Sequence, residues 1–184
     1  MGTAALGCPA ERRSAQDFHS RISVMRWNKP TPLHDAILTR DSKRVLEVLS
    51  SGTGVDELDR EGRTPLFYAA MEGDFDIASE LIRHGANPNA HDRHGETALH
   101  AAAREYRLDL IKLLLEHSAY VDAEDNHGNT PLWRAVYECR GRGDAIKLLL
   151  AAGADRKRKN KHGLSPEELA DTIANFDVKQ FLQD

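Results

Sequence analysis

The chain has 184 residues, of which 40% are apolar and 29% are charged, and its formal net charge is −4. This composition excludes an intrinsically disordered chain, and the sequence contains no run of about 18 apolar residues that could span a membrane. The small negative charge gives no overall attraction to nucleic acid or to anionic lipid. The length predicts a single domain with a substantial core.

The two cysteines, Cys8 and Cys139, are too few for a disulfide framework. Their number is typical of a reducing compartment, so we expect a cytoplasmic protein. No spacing of cysteine and histidine resembles a structural zinc site. The sequence therefore predicts neither a metal nor a cofactor.

Residues 1–30 form an N-terminal segment of their own. We expect residues 1–13 to be disordered. Ala15, Phe18, Ile22 and Met25 have the spacing of a short amphipathic helix. Two alternatives stay open: this helix caps the N-terminal end of the domain, or the whole segment lacks regular structure.

A motif recurs from residue 31 onward. Four copies begin with Thr31, Thr64, Thr97 and Thr130, and a weaker fifth begins with Ser165, at spacings of 33, 33, 33 and 35 residues. A second apolar stretch with helical spacing follows within each of the four. Threonine suits the N-cap of a helix and proline suits its first turn, so each copy predicts a pair of helices. Polar turns that contain glycine precede the later copies, as in Asp59-Arg-Glu-Gly62.

This pattern resembles the ankyrin repeat, whose 33-residue period and T-P-L-H-x-A signature it shares. The resemblance covers about residues 31–182. It implies an all-α repeat solenoid of about five stacked helix–turn–helix repeats with short β-turn fingers. We therefore expect a repeat domain over 31–184, divided into 31–63, 64–96, 97–129, 130–164 and a C-terminal cap over 165–184. Glu167 stands where the other copies have a core leucine, which predicts the outer face of a cap.

The resemblance also implies a concave face, lined by the fingers and the first helices, that binds another protein. Tyrosine, methionine and arginine are typical of such surfaces. Residue by residue, the expected partner-binding set is Arg60, Arg63, Tyr68, Met71, Glu72, Arg93, His94, Arg104, Glu105, Asn126, His127, Arg134, Tyr137 and Glu138.

Several positions depart from the family pattern. Phe67 and Trp133 replace the signature histidine, so the hydrogen bond that histidine makes to the turn should be missing there. Both are either core between repeats or part of the binding face. Tyr106 stands where this family often has glycine, and a positive φ at this position would strain it. Cys139–Gly143 contains a two-residue insertion, which is either drift or an extra contact beside Tyr137.

Catalysis is not expected, because the sequence has no phosphate-binding glycine loop, no serine elbow and no usable Cys–His pair. The recurring histidines His94, His127 and His162 should lie about 10 Å apart, too far to share one zinc ion. The basic run Arg156–Lys161 has three interpretations: a solvated finger, a patch for an acidic protein, or a nucleic-acid or lipid contact.

We therefore predict a non-catalytic protein that binds one protein partner, in a 1:1 complex, with no small-molecule substrate and no membrane contact; nucleic acid is disfavoured as a partner. Gly128–Val136, Ile146–Leu150 and Thr172–Leu182 are similar to bacterial ankyrin proteins, some of which act as immunity proteins against secreted toxins. That similarity implies neutralisation of a toxin or effector by occlusion. The alternative is a generic ankyrin scaffold or regulator.

Overall fold

The computed structural model describes residues 31–52, 54–173 and 177–182. These residues contain nine α-helices, one short 3-10 helix and no β-strand. The helices are α1 (Pro32–Leu38), α2 (Ser42–Ser50), α3 (Pro65–Glu72), α4 (Phe75–Arg83), α5 (Ala98–Arg104), α6 (Leu108–Glu116), α7 (Pro131–Tyr137), α8 (Asp144–Ala151) and α9 (Pro166–Thr172), and the 3-10 helix is Val178–Phe181.

The first helix of each pair begins at the motif threonine or serine, as predicted. The side chains of Thr64, Thr130 and Ser165 each accept a hydrogen bond from the backbone N–H three residues later. A proline follows each of these caps, where its missing N–H costs no helical hydrogen bond. The local sequence alone therefore fixes where these helices start.

The odd-numbered helices α1 to α9 pack side by side in chain order, each against the next. The second helices α4, α6 and α8 also pack against one another in chain order, and each contacts its own first helix. The motif leucines Leu33, Leu66, Leu99 and Leu132 are fully buried in the core. This order of contacts is consistent with a helical solenoid, in which each pair supplies the wall that its neighbour lacks.

The C-terminal end closes on α8. Val178 and Leu182 are buried, and the Phe181 ring packs so closely on Gly143 that a Cβ there would overlap it. Glu167, in the position of the motif leucine, is half-buried, in contrast to the fully buried leucines of the other copies. The N-terminal helix predicted over Ala15–Met25, and Phe176 of the cap, lie outside the described residues.

No helix in the described ranges is long enough and apolar enough for a membrane span.

Candidate functional site

Four loops, each leading into a first helix, share one hydrogen-bonding pattern. Each starts with a buried polar side chain whose Oδ1 accepts the backbone N–H groups two and four residues later. A glycine with positive φ then closes a turn, three residues after the polar residue. The polar residues are Asp59, Asp92, Asp125 and Asn160. The loops are therefore held by their own sequence before any partner binds.

Backbone hydrogen bonds join each loop to the next. The bonds run from Arg93 N–H to Glu61 O at 2.9 Å, from Asn126 N–H to His94 O at 2.8 Å, and from Lys161 N–H to His127 O at 2.9 Å. We call the surface formed by residues 59–63, 92–96, 125–129 and 160–163, together with the half-buried Glu72, Arg104 and Arg134 and the exposed Tyr137 on the first helices, the loop face. Its loops form one connected row.

Two buried histidines, His34 and His100, tie a first helix to the following loop. The Nε2 atoms of these side chains lie 3.0 Å from the carbonyl oxygens of Arg63 and Asn129, respectively. Since a carbonyl only accepts, each Nε2 carries the proton and donates it. Burial lowers the pKa of both side chains, which outweighs the opposing effect of these hydrogen bonds.

Phe67 and Trp133 occupy the same position in the other two repeats. Neither side chain makes a corresponding hydrogen bond within the described residues, so the predicted loss of that bond is confirmed. Phe67 is fully buried and belongs to the core. Trp133 is half-buried, and its ring stacks on Tyr137 with centroids 5.4 Å apart. Both side chains therefore pack on the core, Phe67 completely and Trp133 in part.

Three arginines predicted to bind a partner are engaged within the chain. Glu96 Oε2 lies 2.6 Å from Arg104 Nη1, and Glu96 Oε1 lies 2.8 Å from Arg134 Nη2. Arg134 Nη2 also lies 2.7 Å from Asp125 Oδ2, and Arg63 Nε lies 3.5 Å from a carboxylate oxygen of the next loop. These side chains therefore connect consecutive repeats, an arrangement that the sequence did not reveal.

The carboxylate of Asp125 has a lowered pKa. Burial alone would raise it, but hydrogen bonds from Asn129 and from the His127 N–H, together with the charge of Arg134, favour the ionised form more strongly. The charge of Asp125 is thus part of the loop structure.

Tyr68 and Met71 are corrections to the expected site. They were expected to face solvent, but only 3% and 6% of their surfaces are exposed, because their side of α3 packs in the core. The Tyr68 hydroxyl donates to Asp59 Oδ2 at 2.8 Å. Burial, together with that hydrogen bond, raises the pKa of Tyr68 to about 12. Neither side chain is accessible to a partner in this conformation.

The rest of the expected set is accessible to different degrees. Glu72, Glu105 and Glu138 are half-buried. Tyr137 is 48% exposed and is the large aromatic side chain at the end of α7. The exposed polar members lie on the loops: Arg60, Arg93, His94, Asn126 and His127.

The basic run Arg156–Lys161 is largely committed to the chain itself. Arg158 pairs with Glu124 at 2.7 Å and Lys159 pairs with Glu168 at 3.0 Å. Lys161 Nζ donates to the Asn126 carbonyl at 2.9 Å, and Arg156 donates to the carbonyl of Leu182. These contacts reduce the charge that the run presents to any polyanion.

The strained position and the insertion form one unit. Tyr106 has a φ of 59°, the left-handed conformation that glycine adopts more easily, and its hydroxyl donates to Asp144 Oδ2 at 2.6 Å. The guanidinium carbon of Arg142 lies 3.9 Å from the centre of the Tyr106 ring. The insertion is therefore anchored to the preceding repeat.

Among the described residues, no group of three or more histidine, cysteine or acidic side chains is arranged to hold a metal ion. The spacing of about 10 Å expected between the recurring histidines is wrong for His127 and His162, whose rings stack with their centroids 6.0 Å apart.

Two overlapping matches to the family model for ankyrin repeats in three copies cover residues 10–92 and 72–160. Since the matches span most of the sequence, the chain belongs to the ankyrin-repeat family. Ankyrin repeats generally mediate protein–protein interaction, and the proteins that carry them are generally non-catalytic scaffolds. A search of the curated proteins finds no match to the chain.

Proposed function

We propose that this chain is a non-catalytic, cytoplasmic protein that binds one protein partner, in a 1:1 complex, through the loop face. One observation carries the proposal: the exposed residues Arg93, His94, Asn126 and His127 lie on loops that backbone hydrogen bonds join into a row. Tyr137, exposed at the end of α7, adds an aromatic contact of the kind that dominates binding energy.

Rigidity supports the same proposal. Each loop is held internally by a buried polar side chain and externally by the next loop. Binding then orders few backbone groups, so less of the interaction energy is lost to entropy.

The repeat boundaries are part of the proposal. We assign complete repeats to 31–63, 64–96, 97–129 and 130–164 and a cap to 165–184, with the loops as fingers of a concave face. Four helix pairs followed by α9 and the 3-10 helix support this division. Residues 1–30 are assigned to an N-terminal segment outside the repeat domain.

A narrower proposal is that the partner is a secreted toxin or effector and that the chain is a bacterial immunity protein. The similarity of residues 128–136, 146–150 and 172–182 to such proteins is its support. The mechanism would be occlusion: a rigid face covers the active site or the substrate surface of the toxin. A generic scaffold or regulator would use the same face.

Nucleic-acid or lipid binding through Arg156–Lys161 is the competing proposal, and the ion pairs of this run with Glu124 and Glu168 weaken it. It requires binding that falls steeply with salt and that Lys159→Glu abolishes.

Affinity capture from native lysate tests the loop face. The face variant is Arg93→Ala/Tyr137→Ala, and the matched control is Lys112→Ala/Tyr120→Ala, which removes one exposed cation and one exposed tyrosine from α6 and the loop after it. We expect one stoichiometric protein to be captured by wild type and control and lost by the face variant. Retention by the face variant, at an unchanged Tm, would contradict the proposal.

A further inference from the structure

The insertion in the fourth repeat forms one wall of a small polar pocket. The pocket has a volume of about 180 Å³ and lies between the ends of α5 and α7. Ligand sites for drug-sized molecules are larger, about 300–1,000 Å³. This pocket therefore has room for a single side chain. Its lining residues are Arg104, Glu105, Glu138, Arg140 and Arg142.

The arginines of the insertion differ from those of the loop face. Arg140 Nη2 lies 3.9 Å from Glu138 Oε2, which is too long for a hydrogen bond. Arg142 makes no ion pair or side-chain hydrogen bond within the described part of the chain, and its guanidinium lies against the Tyr106 ring. Both residues are exposed.

The side chain of Arg142 is held in place before any ligand binds. The Tyr106 hydroxyl donates to Asp144 and accepts the Asp144 N–H at 3.2 Å, which holds the end of the insertion against the third repeat. A guanidinium stacked on an aromatic ring keeps its donors free at the edge of its plane. Because the stacked group is already ordered, a ligand that takes up these donors loses less entropy on binding.

We propose that this pocket binds the carboxylate of an aspartate or glutamate in an acidic segment of the protein partner. The pocket adjoins the loop face, because Tyr137 directly precedes the pocket residue Glu138. The pocket proposal therefore rests on the proposed function. A planar carboxylate matches the paired donors of arginine. Glu105 and Glu138 in the wall repel a chain of phosphates more than a single carboxylate, which favours a protein segment over nucleic acid.

The test uses the full chain with ¹⁵N-labelled arginine side chains, titrated with acetyl-(Gly-Glu)₃-amide and, separately, with acetyl-(Gly-Gln)₃-amide. We expect the Nε–H resonances of Arg140 and Arg142 to shift with the glutamate peptide only. Arg140→Gln/Arg142→Gln should weaken binding about tenfold, the effect of one charge-assisted hydrogen bond. Lys43→Gln/Lys112→Gln, which removes two exposed cations elsewhere, should bind as wild type does.

Equal shifts with both peptides, an equal loss in the lysine variant, or equally strong shifts with inorganic phosphate or oligothymidylate would overturn the proposal. Absence of any shift would do the same. The two proposals fail separately. A partner lost by the loop-face variant, together with a silent pocket, refutes the pocket alone. A glutamate-specific shift without a loop-face partner refutes the proposed function alone.

Discussion

Single residues at the start of each loop determine its shape. Asp125 shows this most clearly, because Oδ1 accepts the N–H groups of His127 and Asn129 at 2.8 and 2.9 Å, while Oδ2 accepts from Arg134. Removing this side chain leaves buried donors without partners, which costs about 1–3 kcal/mol for each unsatisfied group.

Asp125→Ala should therefore lower the free energy of unfolding by about 2–4 kcal/mol, measured by urea denaturation. Asp125→Asn separates the two carboxylate oxygens: it keeps the Oδ1 acceptor, as Asn160 does in the last loop, but places an amide group against the donors of Arg134 and Asn129 at the Oδ2 position. We expect the asparagine variant to lose part of the stability that the alanine variant loses, and the difference between the two measures the contribution of Oδ1. Equal losses would mean that the Oδ1 acceptor does not hold the loop.

Residues whose contacts are local in the sequence could be predicted, whereas residues whose contacts depend on helix packing could not. The caps at Thr64 and Ser165 are local and were predicted correctly. The burial of Tyr68 depends on how α3 packs in the core. The pairing of Arg104 with Glu96 depends on a long side chain that folds back from α5 to the preceding loop. The sequence pattern contains the residue types but not those orientations.

At the scale of elements, close approach of neighbouring loops requires glycine. Gly95 has a φ of 77°, and a Cβ there would lie 2.8 Å from the backbone nitrogen of Asn126. That nitrogen donates the hydrogen bond that joins the two loops. Gly163 has the same φ of 77° in the last loop, but a Cβ at that position would meet no neighbouring atom within 4 Å.

Gly95→Ala should thus destabilise the chain more than Gly163→Ala, although both substitutions introduce the same backbone strain of about 1 kcal/mol. Thermal unfolding of the two variants measures the difference, which isolates the contact between loops. Identical Tm values for the two variants would show that loop contact contributes nothing.

The contacts of the insertion in the fourth repeat could not be predicted from the repeat pattern. The glycine position in the repeat identified Tyr106 as a residue that a positive φ would strain, and its φ is 59°. The contacts of that ring with Asp144 and Arg142 were not predicted, because two inserted residues have no counterpart in the other copies to indicate their path. Internal repetition predicts what is repeated and gives no information on an exception.

For the whole molecule, the buried histidines couple stability to pH. Burial lowers the pKa of His34 and His100 in the folded chain, so the unfolded chain, with a pKa of about 6.5, binds protons more tightly. Stability is complete above that pH and falls as the pH drops below it.

Between pH 7.5 and 5.5 we expect the free energy of unfolding to fall by about 1–3 kcal/mol from these two side chains. His34→Phe/His100→Phe, which copies the arrangement at Phe67, should lose most of that dependence. Urea denaturation at both pH values measures it. A variant with the same pH slope as wild type would assign the effect to other groups.

The fold of the whole molecule was predictable because it repeats: one 33-residue pattern, met four times, specifies helix pairs that stack. The partner was not predictable, since the same stack serves many functions and the exposed side chains alone decide what binds. In our proposals, the exposed side chains that select the partner are those of the loop face and of the pocket with Arg140 and Arg142.

The most direct measurement is amide hydrogen exchange of the chain alone and bound to its captured partner. We expect protection at residues 60–63, 93–96 and 126–129 and at 137–142, with exchange unchanged in α4, α6 and α8. Protection confined to Arg156–Lys161 or to those second helices would contradict the assignment of the loop face as the binding surface.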